Sequence, residues 1–177
     1  ISDRSIFIEP VLGSNLAQFD ATKLSAIGSI GRQTPACSIW HGARAKSLKD
    51  TFTQETLIGS TGPSSTSIYP TIVNTVLGTK LKIISGYKSS NDVYLALDRG
   101  EVQGRVSNGW AGDKGILKPW IETNKVRLLA QLSTAKSSLF PNVPLLLDFA
   151  RTERERQAME LILAAQLWGR PFLMPPE

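Results

Sequence analysis

The residues with the most chemistry to offer lie in one run, Ser60-Thr61-Gly62-Pro63-Ser64-Ser65-Thr66. Hydroxyls and a glycine are packed into a single turn between a short apolar run, 56–60, and a helical pattern that begins at Ser65. Ser and Thr at a helix start cap free backbone N–H groups. A loop of this type gathers N–H and O–H donors at one spot, and the positive end of the helix dipole points the same way. The chemistry this suits is seating an oxyanion, a carboxylate or a phosphate. No Gly-Lys-Ser/Thr follows, and the spacing does not fit G-x-G-x-x-G, so neither nucleotide motif is present. A seat without lysine suits a small, weakly charged anion better than a triphosphate. The plainer reading is that the hydroxyls only cap the helix and satisfy the turn.

Catalysis has little to draw on. His41 is the only histidine and Cys37 the only cysteine. One histidine excludes a two-His metal site, and a Ser-His-Asp triad would have to use His41. No G-x-S-x-G elbow surrounds any serine. Cys37 lies in the apolar stretch 36–40 and reads as a buried, inert thiol, with no second cysteine for a disulfide or a zinc site. No catalytic residue, metal or cofactor is expected. The net charge of +5 is mild. Its densest basic cluster, 151–156 (RTERER), is interleaved with Glu as a solvated helix face is, so nucleic acid is not an expected partner. No run of ~18 apolar residues is present to span a membrane.

A chain of 177 residues suits one large domain, or one and a half small ones, and buries a core without disulfides. The first residues read as irregular, with a short strand at 6–8, a loop at 13–19 and Asp20 capping one turn at 21–23. Strands are expected at 26–32, 36–41, 56–60, 80–85, 102–107, 126–132 and 170–174. Helices are expected at 48–53, 65–77, 91–99, 111–117, 143–149 and 153–168. Gly78 is the stop signal after 65–77, and Pro70 falls near that helix's first turns. Val93, Leu95, Ala96 and Leu97 are read as the inner face of 91–99. This alternation gives an α/β fold with a mostly parallel, mixed sheet and helices on both faces.

Ligands of such sheets bind beyond the carboxyl ends of the strands. Three polar loops leave those ends: 60–66, 85–90 and 107–110. Within them, Ser60, Thr61, Gly62, Ser64, Ser65 and Thr66 would hold the anion, and Asn108 would meet a second polar group. Tyr87 and Trp110 would wall the site. Each has a plainer reading: Tyr87 as core, Asn108 as a turn former with Gly109, Trp110 as a helix-packing residue.

The runs FDATKLSAIGSIGRQTPACSIWH, SLKD, LIGSTGPSSTS and KLKIISGYKSSNDVYLALDRGEVQGR, in that order, resemble the extracytoplasmic solute receptors of the tripartite tricarboxylate transporter family. The likeness covers about residues 19–177, and the closing RPFLMPPE is similar to that family's return hinge. The resemblance implies one lobe, the second, of a periplasmic binding protein of type II fold. Residues 1–26 would lead from a missing first lobe, 27–169 would form the ligand-binding lobe, and 170–177 the return hinge, with both ends of the chain reading as cut. It further implies a periplasmic location, a small carboxylate or dicarboxylate as ligand, and membrane permease subunits as partners. The loop 60–66 falls on the family's ligand loop, and Ser107-Asn108 on a pair that is often acidic residue and Asn. Pro63 and Ser64 stand where Asn and Gly are common, Ile68 where His is common, and Ser107 where an acid is common. Pro63 removes one N–H donor from the loop.

Two other functions compete with transport binding: a sensing domain using the same seat, and a hydrolase using a loop Ser or Thr, which needs a base such as His41. If the seat is real, Ser65→Ala and Thr66→Ala should each weaken binding with little cost to folding. Gly62→Val should harm binding more, by blocking close approach of the backbone.

Overall fold

The elements follow the hydrophobic periods closely. The computed structural model describes residues 10, 13, 19–29, 34–169 and 171–174, and only the backbone of 108–114. In chain order they are β1 (Ser25–Ser29), β2 (Pro35–Trp40), β3 (Thr56–Ser60), α1 (Ser65–Leu77), β4 (Leu81–Ser85), α2 (Ser90–Asp98), β5 (Gly104–Gly109), α3 (Trp110–Glu122), β6 (Val126–Gln131), α4 (Glu153–Ala164) and β7 (Pro171–Met174). Short 3-10 turns at Ala21–Lys23, Lys49–Phe52, Leu146–Phe149 and Ala165–Trp168 join them. The expected strand at 6–8, most of the loop at 13–19, and residues 30–32 and 170 of two expected strands lie outside the described residues.

The main sheet has the order β4-β3-β5-β2-β6. β3 runs parallel to β4 and β5, while β2 is antiparallel to both β5 and β6. Four strands therefore point one way and β2 alone is reversed, which is the mostly parallel, mixed sheet expected. Alternate residues of the strands feed two separate cores, as the two-residue period requires. Ile39, Ile58 and Val106 pack with α1 and α4 on one face; Trp40, Leu57 and Ile84 pack with α2 and α3 on the other. β1 and β7 pair antiparallel as a separate two-stranded ribbon, Ser25 opposite Met174 and Ser29 opposite Pro171.

Two glycines matter to this packing. Gly78 ends α1 with φ 77°, the left-handed turn that stops a helix without a Cβ penalty. Gly59 on β3 lets α2 settle onto the sheet, since a Cβ there would lie 2.6 Å from Val93 Cγ1.

The structure departs from the sequence reading in several places, and the helix expected at 48–53 is only the 3-10 turn Lys49–Phe52. Leu95 is not on the inner face of α2 but 53% exposed, and Tyr94 is buried instead. At 100° per residue, positions 93, 94, 96 and 97 share one arc and position 95 lies opposite it. The expected loop at 108–110 is absent: β5 runs to Gly109 and α3 begins at Trp110. Pairing of Ala36 with Asn108 and Pro35 with Gly109 carries the strand through the Asn-Gly turn signal. α3 also continues past 117, through Pro119 to Glu122. Finally, the helix expected at 143–149 is only the turn Leu146–Phe149, and the one expected at 153–168 gives way to 3-10 geometry after Ala164.

Candidate functional site

Because β3, β4 and β5 are parallel neighbours, the three segments singled out in the sequence, 60–66, 85–90 and 107–110, lie at one edge of the sheet. α1, α2 and α3 all begin at that edge, so three positive helix ends open there. The ends are not equivalent. The first turn of α2 carries Asp92, whose carboxylate takes the Ser89 hydroxyl at 3.0 Å. The first turn of α1 carries no acidic residue.

The loop into α1 is built residue by residue. Ser60 ends β3 and is fully buried. Gly62 takes φ 109°, a backbone that residues with a Cβ rarely adopt. Ser64 is extended and caps the helix: its Oγ accepts from Thr66 N–H at 3.3 Å, while its own N–H donates to Ser67 Oγ at 3.3 Å. Ser67 in turn donates its hydroxyl to the Gly62 carbonyl at 2.8 Å. This is the reciprocal arrangement of a capping box.

Thr66 is the hub of the loop. Its Oγ1 accepts from Thr61 N–H at 3.1 Å and lies 3.0 Å from Ser60 Oγ, 3.2 Å from Thr61 Oγ1 and 2.9 Å from Ser64 Oγ. Ser60 Oγ also accepts from Gly62 N–H at 3.2 Å. Most of the hydroxyls thus hold one another, and for Ser60, Thr66 and Ser67 the plain capping role is in place.

Ser65 differs. It is the first residue of α1, its N–H precedes any possible helical acceptor, and neither that N–H nor its hydroxyl bonds to a described residue. It is 6% exposed, and its hydroxyl oxygen is not sealed from solvent. Two donors on one residue, at a helix end without an acid, are what an incoming anion needs. Thr61 and Ser64, both half-buried, keep their hydroxyls in contact with Thr66 Oγ1 at 3.2 and 2.9 Å.

The remaining candidates are placed as follows. Tyr87 follows β4, and its ring packs against the apolar cluster under α2 and α3. Burial, and then the charge of Glu101, push its phenol pKa up. Ser107 is buried near the end of β5 with φ 68°, a left-handed backbone that costs a non-glycine residue about 1 kcal/mol or more. It lies in a bulge: Ala36 faces Asn108 but Ser38 faces Arg105, so β5 carries an extra residue there. Bulges of this kind re-aim a strand end next to functional sites. Asn108 and Trp110 lie on the backbone that follows, at the same edge.

Two features of this edge were not singled out in the sequence. Arg105, 3% exposed, donates from Nη2 to Ser90 Oγ at 2.7 Å, and its guanidinium lies 5.1 Å from the Tyr94 ring centroid. It fastens β5 to the start of α2 and adds a buried positive charge near the loops. Its signal was a lone Arg between Gly104 and Val106 in an otherwise uncharged strand. The second is the segment after β6, which leaves the same edge. The buried Gln131 side chain donates to the Phe140 and Val143 carbonyls at 2.9 and 2.7 Å and accepts from Ser137 N–H at 2.9 Å. Nothing short of the fold would have shown that this glutamine shapes a loop.

β2 runs against the other strands, so His41, just past its end, sits at the opposite edge from residues 60–66. Six strand residues span roughly 20 Å, which removes His41 as a base for the loop hydroxyls. Cys37 is buried, and burial pushes its thiol up to about 12. Among the described residues, no helix is long and apolar enough to cross a membrane.

No protein-family model and no curated protein matches the sequence. Solved structures do match in fold. An R. palustris protein, Rpa4515, solved with adipate, superposes with TM-score 0.61 at 16% identity, covering 86% of this chain and 57% of its own. A TctC solute-binding protein from Polaromonas, without ligand, gives TM-score 0.64 at 13% identity over 97% of this chain and 68% of its own. MatC from Rhodopseudomonas palustris, with bound malate, gives 0.61 at 11% identity over 93% and 60%. The chain spans roughly three-fifths of the length of these proteins. It is similar in fold to part of a TctC- or Bug-type periplasmic solute-binding protein.

Proposed function

We propose that the chain is the second lobe of an extracytoplasmic solute receptor of the tripartite tricarboxylate transporter type, and that it binds a small carboxylate or dicarboxylate without transforming it. The observation that carries this reading is Ser65, whose N–H and hydroxyl are both unengaged at the positive end of a 13-residue helix. One carboxylate oxygen takes both donors, and the Thr61 and Ser64 hydroxyls turn to the other. Ser107, Asn108 and Trp110 border the same edge and meet the rest of the ligand, and the loop after β4 with Tyr87 flanks it. The adipate and malate held by proteins of similar fold support a ligand of this class.

The separate β1–β7 ribbon supports a division in which 1–26 lead in from a first lobe, 27–169 form this lobe and 170–177 return. The contacts of that first lobe would complete the pocket, and membrane permease subunits in the periplasm would receive the ligand. A hydrolase that relies on His41 is disfavoured by the position of that residue across the sheet.

The test is a chemical-shift titration of the 177-residue chain with adipate, malate and, as a neutral control, 1,6-hexanediol. The Ser65 and Thr66 amide signals should move with a diacid and not with the diol. Diacids that leave those amides unmoved up to roughly 50 mM, far beyond any useful affinity, would overturn the reading.

A further inference from the structure

A second concave surface lies on the other face of the sheet from α1. α2 and α3 descend side by side and leave a groove of about 400 Å³ between them, within the range of small-ligand sites. Its walls are apolar: Leu95, which α2 turns away from the core, faces Ile116, Pro119 and Trp120 of α3. Trp120 meets Tyr94 edge-on at 5.7 Å between ring centroids.

Among the residues that line the groove, the charged side chain is an acid. Asp98, the last residue of α2, lies in its lining and takes part in no ion pair or hydrogen bond with a described side chain. The last turn of α2 contains no basic residue, so the carboxylate adds to the negative end of that helix. Arg99, next in sequence, is drawn to Glu101 at 3.8 Å, and Lys118 on α3 to Glu122 at 3.8 Å. On the opposite wall, the Gly115 carbonyl lacks the N–H it would receive from four residues on, because that residue is Pro119. Asn91 adds an amide. In a chain of net charge +5 this is a local reversal of sign.

We propose that this groove binds a primary ammonium carried on an aromatic or branched aliphatic body. The ammonium donates to the Asp98 carboxylate and the Gly115 carbonyl, and the apolar body lies along Leu95, Ile116 and Trp120, where an aromatic face also favours a cation. A carboxylate ligand would be repelled by Asp98, and a purely apolar one would leave these acceptors desolvated. A folded protein partner needs roughly 800 Å² on each side, more than a groove of this size offers. The inference is independent of the carboxylate reading, since it uses other elements and the opposite charge.

The test uses the 177-residue chain and phenethylammonium, with 2-phenylethanol and phenylacetate as neutral and anionic counterparts. Signals of the Trp120 indole N–H and the Leu95 methyls should shift with the amine, and about threefold less affinity is expected for the alcohol and for Asp98→Asn, the scale of an exposed ion pair. Gly115→Leu should abolish the shifts. A Cβ at Gly115 meets nothing within 4 Å, so the leucine fills the groove, and replacing a helical glycine favours folding. Thermal melting confirms that each variant is folded. Equal affinity for the amine and phenylacetate, unaltered binding by Gly115→Leu, or no shift at roughly 20 mM amine would overturn the proposal.

Discussion

Replacing Thr66 with Val and Ser65 with Ala separates a hydroxyl that holds the loop from one that is open to a ligand. The Thr66 hydroxyl accepts from Thr61 N–H and touches the hydroxyls of Ser60, Thr61 and Ser64 within 3.2 Å. Valine keeps the shape and removes these bonds. Ser60 keeps its contacts with Gly62, so the principal orphan is the Thr61 N–H. Leaving one such group without a partner costs about 2 kcal/mol, which in a chain of this length lowers Tm by about 4–8 °C. Ser65→Ala removes no bond within the fold, so stability should stay within about 0.5 kcal/mol. If Ser65 meets a carboxylate, the lost charge-assisted bond weakens adipate binding by about 10- to 150-fold. The assay is paired: a thermal melt and a titration with adipate on each variant. The reasoning fails if Thr66→Val melts with the parent, or if Ser65→Ala loses as much stability as Thr66→Val. The sequence alone treats the two substitutions as equivalent; the hydrogen bonds do not.

Gly59→Ala should destabilise by about 1–3 kcal/mol, as overpacking does, because its Cβ would meet Val93 Cγ1 at 2.6 Å and Val102 Cγ2 at 3.2 Å; Val93→Ala in the same chain should restore part of the loss, and additive melts would refute the contact. Cys37, buried and with its thiol pushed up to about 12, should resist thiol reagents at neutral pH until the chain unfolds; modification at the rate of a free thiol in the native protein would contradict its placement. Asp50 accepts from Lys46 N–H at 2.7 Å and Ser47 N–H at 2.9 Å, and those bonds hold its carboxyl below the ordinary 3.8. A pKa lowered by folding stabilises above the unfolded value and is lost as pH falls through the folded one, so melting temperature should drop below about pH 4. Asp50→Asn should flatten that drop, and an unchanged acid profile in the variant would contradict the assignment.

The chain's local chemistry settled a good deal of this architecture in advance. The bounds of α1, Ser65 to Leu77, follow from Ser64 as cap and Gly78 as stop, two signals that act within a few residues of themselves. The class of fold follows from the alternation of the two hydrophobic periods, and the positions of the two polar loops after β3 and β4 follow from the class. What failed was decided across the sheet. Asn108-Gly109 looks like a turn until Ala36 and Pro35 pair with it, and the reversal of β2, which carries His41 away from the loop hydroxyls, is invisible in a linear reading. The division of labour inside residues 60–66 is of the same kind. Ser65 and Thr66 are neighbours with alike side chains, yet helix rotation turns one toward Ser60 and leaves the other's donors without a partner. Residue types fix which bonds are available and how far they reach; only the folded backbone fixes which of them close on the protein itself and which stay open at its edge.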